Sequence, residues 1–189
     1  MADRILVFYG SYRSDRMGIR LADYVVAGLG ARGAEAALID AKAVDLPMLD
    51  LRYSDYPAGE APGAMAGLAD RLSAADAFVF VAGEYNRGMQ PGLKNLVDHY
   101  LKEFDRRPAA IASYSAGRFA GVNSHADWTV TLSAMGMAVV PERLSVGQIG
   151  QTLDEQAQPQ GDSGAALERG FAGFAKNLIW WSEAAKAAR

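Results

Sequence analysis

Ile5-Leu-Val-Phe-Tyr9 is an apolar run, and Gly10-Ser-Tyr-Arg-Ser-Asp-Arg-Met-Gly18 follows it directly. The run does not alternate polar with apolar residues, which is typical of a strand that is covered on both faces of a sheet. Beyond it, apolar residues recur at helical spacing from Ile19 to Leu29. A buried strand, a polar loop and an amphipathic helix in this order indicate a sheet with helices packed on its faces.

The same alternation of strand and helix continues along the chain. Strands that are separated by helices of this length pair in parallel through crossover connections, so the pattern predicts a doubly wound α/β fold. Periodicity alone does not choose between the Rossmann-like and the flavodoxin-like strand orders. The predicted strands are Ile5–Tyr9, Ala36–Ile39, Ala77–Ala82, Ala110–Tyr114 and Ala138–Val140. The predicted helices are Arg16–Ala31, Ala64–Ala74, Gly92–Glu103, Val122–Met135 and Ala165–Ala187.

Composition limits the classes of protein that are possible. The 189 residues, half of them hydrophobic, suit a single domain over residues 1–189. A net charge of -3 gives no general attraction to nucleic acid or to an anionic membrane, so neither is expected as a partner. The chain has no cysteine, which excludes disulfides, thiolate metal sites and cysteine nucleophiles. No apolar segment of membrane-spanning length and no signal-peptide pattern is present, so we expect a cytoplasmic protein.

Two sequence features have more than one interpretation. Gly28-Leu-Gly-Ala-Arg-Gly33 matches the dinucleotide fingerprint, but it closes a predicted helix instead of following a strand, and we interpret it as a helix stop. The stretches Ala43–Pro62 and Gln148–Ser163 are long and irregular. Each is either a flexible surface loop or the edge of a pocket or subunit contact. His99 and His125 lie in helical stretches and are interpreted as ordinary solvated or packed side chains.

Three loops carry the candidate functional residues. The stretch Gly10–Gly18 has the donors of a phosphate-binding site. These are the backbone N–H groups before the helix, the hydroxyl of Ser11 and the guanidinium groups of Arg13 and Arg16. The alternative interpretation is a solvated helix cap with surface arginines. Because the loop follows a strand of an α/β sheet, where ligands bind, we favour the phosphate site.

The other two loops follow the third and fourth predicted strands. In Gly83–Asn95, Tyr85 can lie against a planar ring and Asn86 can bond its polar edge. The alternative is an ordinary polar turn before a helix that begins at Pro91. The stretch Ser113–Gly121 is again rich in small and hydroxyl residues, although a tight turn would have a similar composition. Three such loops at one sheet edge favour a site for a phosphorylated, flat ligand.

Together these loops resemble those of the NAD(P)H-dependent FMN reductase family, which includes flavin quinone reductases and azoreductases. The resemblance rests on Gly10-Ser-Tyr-Arg13, on Glu84-Tyr-Asn86 with Pro91-Gly-Leu-Lys-Asn95, and on Ser115-Ala-Gly117. It implies a flavodoxin-like fold, which is a five-stranded parallel sheet of order 2-1-3-4-5 with helices on both faces. It also implies FMN as the cofactor, NAD(P)H as the co-substrate, and a homodimer or homotetramer with the flavin near a subunit interface.

The resemblance further implies which residues hold the cofactor. The first loop would hold the FMN phosphate, the second would border the isoalloxazine ring, and the third would support the other side of that ring. The implied cofactor-binding residues are Ser11, Arg13, Arg16, Met17, Gly18, Glu84, Tyr85, Asn86, Ser115, Ala116 and Gly117. Two departures are visible: Gly83 stands where the family commonly has proline, which predicts a looser loop, and Ala120-Gly121 replaces a frequent Gly-Gly pair.

The functional hypothesis is an oxidoreductase that moves hydride from NAD(P)H through FMN to a quinone-like or other small acceptor. The flavin atom N5 would carry the hydride, so no residue is predicted to be catalytic and no metal is predicted. The first alternative is a flavodoxin-type electron carrier without nicotinamide turnover, although the mixed charge of the chain does not favour it. The second alternative is a flavin-free interaction module.

Overall fold

The computed structural model describes residues 2–189 of the chain. The strands are β1 (Arg4–Tyr9), β2 (Glu35–Asp40), β3 (Ala77–Tyr85), β4 (Gly88–Met89), β5 (Pro108–Tyr114), β6 (Ala138–Val139) and β7 (Leu144–Val146). The helices are α1 (Ile19–Gly30), α2 (Ala41–Val44), α3 (Gly63–Ala74), α4 (Pro91–Asp98), α5 (Val122–Ala134), α6 (Ile149–Thr152) and α7 (Gly161–Ala188). Short 3-10 turns add Tyr53–Asp55 and Lys102–Phe104.

The sheet has the flavodoxin-like order β2-β1-β3-β5-β6, and all of these pairings are parallel. The predicted fold class and strand order are therefore confirmed. The fifth position of the sheet is divided into two pieces, because β6 pairs with the beginning of β5 at Pro108↔Ala138 and β7 pairs with its end at Ala112↔Leu144. Pro141 lies between the pieces and has no N–H to donate, which explains the break. The prediction of Ala138–Val140 found only the first piece.

The core lies on both faces of the sheet. Residues of β1 alternate between the two faces: Ile5, Val7 and Tyr9 pack under α1 and α7, while Leu6 and Phe8 pack under α3, α4 and α5. All five are buried, which is why the run shows no polar alternation in the sequence. The prediction of helices on both faces is thus confirmed, and the two helical layers leave the carboxyl ends of the strands at one open edge.

Helix boundaries differ from the predicted ones by more than one residue at three places. Helix α1 begins at Ile19 instead of Arg16, because the preceding residues form turns. Helix α4 ends at Asp98 instead of Glu103, and a 3-10 turn follows it. Helix α7 begins at Gly161, four residues before the predicted start, since glycine in its first turn hides the helical pattern.

Neither long irregular stretch is a free loop. In the first, the side chain of Asn95 on α4 accepts a hydrogen bond from the N–H of Leu49 at 2.9 Å and donates one to the carbonyl of Pro47 at 2.8 Å. The second contains α6 and a short antiparallel bridge between Leu153 and Pro159. Within residues 2–189, no helix combines the length and the apolar character that crossing a membrane requires.

Candidate functional site

A cleft of about 360 Å³ opens at the carboxyl ends of β1, β3 and β5. Its lining comes from the last residues of β3 and β5, from the loops after the three strands and from α6: Ser11, Arg13, Asp15, Arg16, Met17, Gly18, Gly83, Glu84, Tyr85, Asn86, Tyr114, Ser115, Ala116 and Ile149. Every residue that the sequence predicted for the site lines this cleft except Gly117. The carbonyl of Gly117 instead accepts hydrogen bonds from the Ser115 hydroxyl and the Gln148 N–H, both at 2.8 Å. Gly117 therefore holds the lining residue Ser115 in place without lining the cleft itself.

The loop after β1 carries both arginines, and each is paired with a carboxylate. The guanidinium of Arg13 donates two hydrogen bonds to Asp15, each at 2.8 Å, and both side chains are more than 60% exposed. The guanidinium of Arg16 lies 2.7 Å from Asp40, which is only 10% exposed. Ser11 is buried. Arg16 is therefore a fixed part of the wall, whereas Arg13 lies at the solvent edge.

Free backbone donors lie in this loop and not in the helix that follows it. The first three N–H groups of α1 donate to carbonyls of the preceding turn at 3.1–3.2 Å. Among residues 2–189, the N–H groups of Ser14, Arg16 and Gly18 have no hydrogen-bond acceptor. Unpaired N–H groups beside two guanidinium groups are suited to an anion such as phosphate.

The glycine at position 83 does not loosen the second loop, so that expectation was wrong. The N–H of Gly83 donates to the side-chain oxygen of Gln90 at 3.0 Å, and the Gln90 amide donates to the Tyr114 hydroxyl at 2.9 Å. A Cβ atom at position 83 would lie 2.6 Å from the Gln90 amide nitrogen. Proline at position 83 could not donate this hydrogen bond, and its ring would collide with the Gln90 side chain. The buried Gln90 therefore requires glycine at position 83.

The second loop is a tight hairpin that contacts the first loop. Asn86 and Arg87 adopt left-handed φ angles of 49° and 67° between β3 and β4, which is the conformation of a type I′ turn. The hydroxyl of Tyr85 lies 2.6 Å from that of Ser11. Tyr85 therefore extends back toward the predicted phosphate loop and connects the two loops across the cleft.

Glu84 lines the cleft, but its carboxylate is used by a neighbouring helix. It accepts hydrogen bonds from the backbone N–H of Asn123 at 2.9 Å and from the Asn123 side chain at 3.1 Å. Helix α5 has Gly121 at its N-cap and no side-chain cap of its own. Glu84 therefore caps α5 from another element, where its negative charge also interacts favourably with the helix dipole.

The third loop is held by residues that follow β7. The N–H of Ser115 donates to the carbonyl of Val146 at 3.1 Å, and the N–H of Ile149 donates to the carbonyl of Ser115 at 3.2 Å. Met17 of the first loop packs beside Gly150. The stretch that begins at Gln148 is thus a pocket edge, which is one of the two interpretations that its length allowed.

Four residues of the cleft were not among the predicted site residues: Asp15, Gly83, Tyr114 and Ile149. Asp15 lies inside the quoted first loop, and its spacing of two residues from Arg13 was the available signal. Tyr114 is buried and lines the cleft, and in the sequence it was the last residue of the predicted fourth strand. Ile149 has no signal in the sequence beyond its place in the Gln148–Ser163 stretch.

Two titratable groups of the cleft, Tyr114 and Asp15, have shifted pKa values. Burial raises the pKa of Tyr114, and the neighbouring Tyr9 raises it further. The hydrogen bonds from Arg13 hold the pKa of Asp15 below its usual value. The tyrosine thus stays neutral and the aspartate stays ionised at neutral pH.

The geometry of the sheet and the cleft defines a class of protein. A loop with free N–H groups and arginines follows β1, and two further loops close the same crevice at the switch point of a 2-1-3-4-5 sheet. This is the arrangement of flavodoxin-like proteins that bind a mononucleotide.

Comparison with known proteins gives the family. A family model described as NADPH-dependent FMN reductase matches residues 4–151, which is well over half of the chain. The chain belongs to the NADPH-dependent FMN reductase family, and the family predicted from the sequence is confirmed. This is a family of oxidoreductases that use FMN, with NAD(P)H as co-substrate.

Individual relatives agree with this assignment. An NAD(P)H-dependent FMN reductase of Schizosaccharomyces pombe is 34% identical over 118 residues, which are 59% of this chain and 57% of the relative. One from Nectria sp is 29% identical over 153 residues, 75% of this chain and 73% of the relative. The solved structure of FerB, a flavoenzyme NAD(P)H:(acceptor) oxidoreductase from Paracoccus denitrificans, has a TM-score of 0.76 at 23% identity and covers 96% of this chain and 98% of that one. At this identity, the likeness to FerB shows the fold.

Proposed function

We propose that this chain binds FMN in the cleft, reduces it with NAD(P)H and passes two electrons to a small oxidised acceptor. The observation that carries the proposal is the convergence of three strand-end loops on one cleft in a member of the FMN reductase family. FMN, when bound, supplies the redox chemistry by accepting hydride at N5 and giving two electrons to the acceptor. The residues of the chain bind and orient the cofactor.

The donors present in the cleft fit FMN. A phosphate needs charge-assisted and backbone donors, and the first loop offers the guanidinium groups of Arg13 and Arg16 and the free N–H groups described above. A flat ring needs walls to lie against, and the loops at Tyr85 and Ser115 both line the cleft and can supply them.

We assign the roles residue by residue. Ser11, Arg13, Arg16, Met17 and Gly18 hold the phosphate end. Tyr85 and Asn86 border the ring, with Glu84 fixing this loop through its bond to α5. Ser115 and Ala116 support the other side of the ring, and Gly117 fixes the orientation of Ser115.

We propose quinones as the acceptor class. The cleft has no charged cage of its own for a metal oxyanion beyond the arginines assigned to phosphate, and a flat acceptor can take the place of the nicotinamide against the ring. A neighbour of the same fold, from Methanothermobacter marburgensis, is described as an NAD(P)H:quinone oxidoreductase, with a TM-score of 0.66 and 14% identity. Steady-state rates with quinone, azo dye, free flavin and metal oxyanion, each with NADH and NADPH, test the acceptor and the preferred nicotinamide.

We also propose a cytoplasmic homodimer or homotetramer. The absence of cysteine suits a reducing compartment. Light scattering of the purified protein with and without FMN measures the assembly, and a monomer under both conditions contradicts it.

Anaerobic mixing of the FMN-loaded protein with NADPH and, separately, NADH tests the reaction. The expected result is loss of the oxidised flavin absorbance within seconds. A protein that binds FMN but keeps the oxidised spectrum with both nicotinamides is an electron carrier instead. A protein that remains colourless when FMN is added contradicts the proposal at its first step and leaves the flavin-free module.

A further inference from the structure

The cations of the cleft are already matched by carboxylates. Arg13 and Arg16 face the cleft, and so do Asp15 and Glu84, while Asp40 lies against Arg16. A dianionic phosphate therefore does not enter a strongly positive pocket. One of these acids must be displaced, or must stay close to the phosphate at an energetic cost.

The two arginine pairs differ in how easily they separate. The Arg16–Asp40 pair is mostly buried, so removing the carboxylate would leave a charge without a partner in a poorly hydrated place. Both members of the Arg13–Asp15 pair are more than 60% exposed, and water can solvate each of them after separation. Arg13 is thus the guanidinium that can exchange its carboxylate for a phosphate.

Asp15 occupies the edge of the Arg13 guanidinium that could also bind a phosphate through two hydrogen bonds. Nε and Nη2 of Arg13 each donate to a different oxygen of Asp15 at 2.8 Å. This two-bond fork is the arrangement in which guanidinium groups also bind phosphate. A phosphate on the other edge of the same guanidinium would keep an ionised carboxylate as its neighbour.

We propose that Asp15 competes with the FMN phosphate for Arg13 and thereby keeps FMN exchangeable. Asp15 is a positioning residue in this scheme, because it acts on the cofactor through Arg13. The inference rests on the proposed function, since it assumes that FMN is the ligand of the cleft. It assigns to Asp15 a role opposite to that of its neighbours, which is to weaken the hold on the phosphate.

The test compares two flavins that differ by the phosphate alone. Dissociation constants of FMN and riboflavin are measured by flavin fluorescence for the wild type and for Asp15→Asn, Asp15→Glu and Asp70→Asn. Asp70 is an exposed acid on α3 without a cleft contact and controls for net charge. Loss of an exposed ion pair predicts about two- to fivefold tighter FMN binding in Asp15→Asn. Riboflavin affinity should not change, and Asp15→Glu and Asp70→Asn should resemble the wild type.

The same Asp15→Asn substitution in an Arg13→Gln variant tests whether Asp15 alters FMN affinity by way of Arg13. Arg13→Gln is expected to weaken FMN binding, and Asp15→Asn added to it should give no further gain, because the contested guanidinium is gone. A gain that persists in Arg13→Gln reflects direct repulsion between Asp15 and the phosphate and overturns the competition.

Other outcomes are equally decisive. Equal FMN affinity in Asp15→Asn and wild type overturns the inference, and so does a gain of the same size for riboflavin, which would indicate a loosened loop. If the wild-type protein binds neither flavin, the proposed function fails and the role of Asp15 fails with it. If it binds FMN but shows no reaction with NAD(P)H, the inference still stands or falls on the affinities alone.

Discussion

Gly18 leaves room for a hydrogen atom and nothing larger. A Cβ atom at this position would lie 2.0 Å from the Cζ of Tyr114. The Tyr114 ring is buried and its hydroxyl is held by Gln90, so it cannot easily move away. We predict that Gly18→Ala lowers the free energy of unfolding by about 2 kcal/mol through overpacking, as measured by urea denaturation.

Gly30 is the matched control for this substitution. It is the last residue of α1, and nothing lies within 4 Å of a Cβ atom placed there. Gly30→Ala should leave the stability unchanged or raise it by about 0.5 kcal/mol, because alanine favours the helix. Equal stability of Gly18→Ala and the wild type would show that the Tyr114 ring shifts freely.

The reason why position 18 needs glycine could not be predicted from the sequence. Gly18 was predicted as one of the residues of the first loop that hold the FMN phosphate. The contact in the structure is with Tyr114, which is 96 residues away in the chain (114 minus 18). A sequence pattern identifies that a position needs glycine, but a long-range contact of this kind has no local signal.

Among the elements, the β3–β4 hairpin and α5 are linked by hydrogen bonds to the carboxylate of Glu84. Substitution of Glu84 by Gln keeps an acceptor but removes the charge at the start of α5, while Glu84→Ala removes both. We predict losses in the free energy of unfolding of about 0.5 kcal/mol for Gln and about 1 kcal/mol or more for Ala. Thermal and urea unfolding of the apo protein measure them without interference from flavin.

Asp127 provides the control on the same helix. It is an exposed acid of α5 whose side chain makes no hydrogen bond among residues 2–189, so Asp127→Asn should leave the stability nearly unchanged. Similar losses in Glu84→Gln and Asp127→Asn would mean that only the net charge matters and that the cap contributes nothing.

The elements that the sequence predicted well are those with a complete local pattern. The central strands have uninterrupted apolar runs because both of their faces are covered, and α1 has a clear helical period. The missed elements have only two to four residues: β4, β7, α2 and α6. Strand β7 is defined by its pairing with β5 and α6 by contacts with α7, so neither is visible within a short sequence window.

In the molecule as a whole, ion pairs hold the end of α7 against the edge of the sheet opposite the cleft. The ammonium of Lys186 lies 2.7 Å from Asp3 and 3.0 Å from Asp76, and both carboxylates are largely buried. We predict that Lys186→Gln lowers the free energy of unfolding at pH 7 by about 1 kcal/mol, a modest value because the lysine is 38% exposed and screened by water. Lys176→Gln, at an exposed position of α7, is the control and should have no effect.

The effect of Lys186→Gln should depend on pH in a defined way. Burial raises the pKa of Asp76, but the hydrogen bonds from the Arg4 N–H and Lys186 outweigh it and hold the pKa below its usual value. That contribution is present above about pH 4 and is lost as the pH falls through the lowered pKa. Hydrogen bonds to Asp3 and Asp76 raise the pKa of Lys186, so its contribution is present below about pH 10 and is lost as the pH rises through the raised pKa. Urea unfolding from pH 3 to 11 should therefore show the largest difference from wild type between these limits; a constant difference would contradict this account.

The pinning of Lys186 also bears on the order in which the ribosome makes the chain. Asp3 and Asp76 leave the ribosome next to β1 and β3, whereas the cation that they share follows much later, in the last turn of α7. Until then the two neighbouring carboxylates repel each other at the base of the nascent sheet, and α7 has no anchor there. A partly made chain can pair its central strands, but only a chain translated through Lys186 completes this fastening.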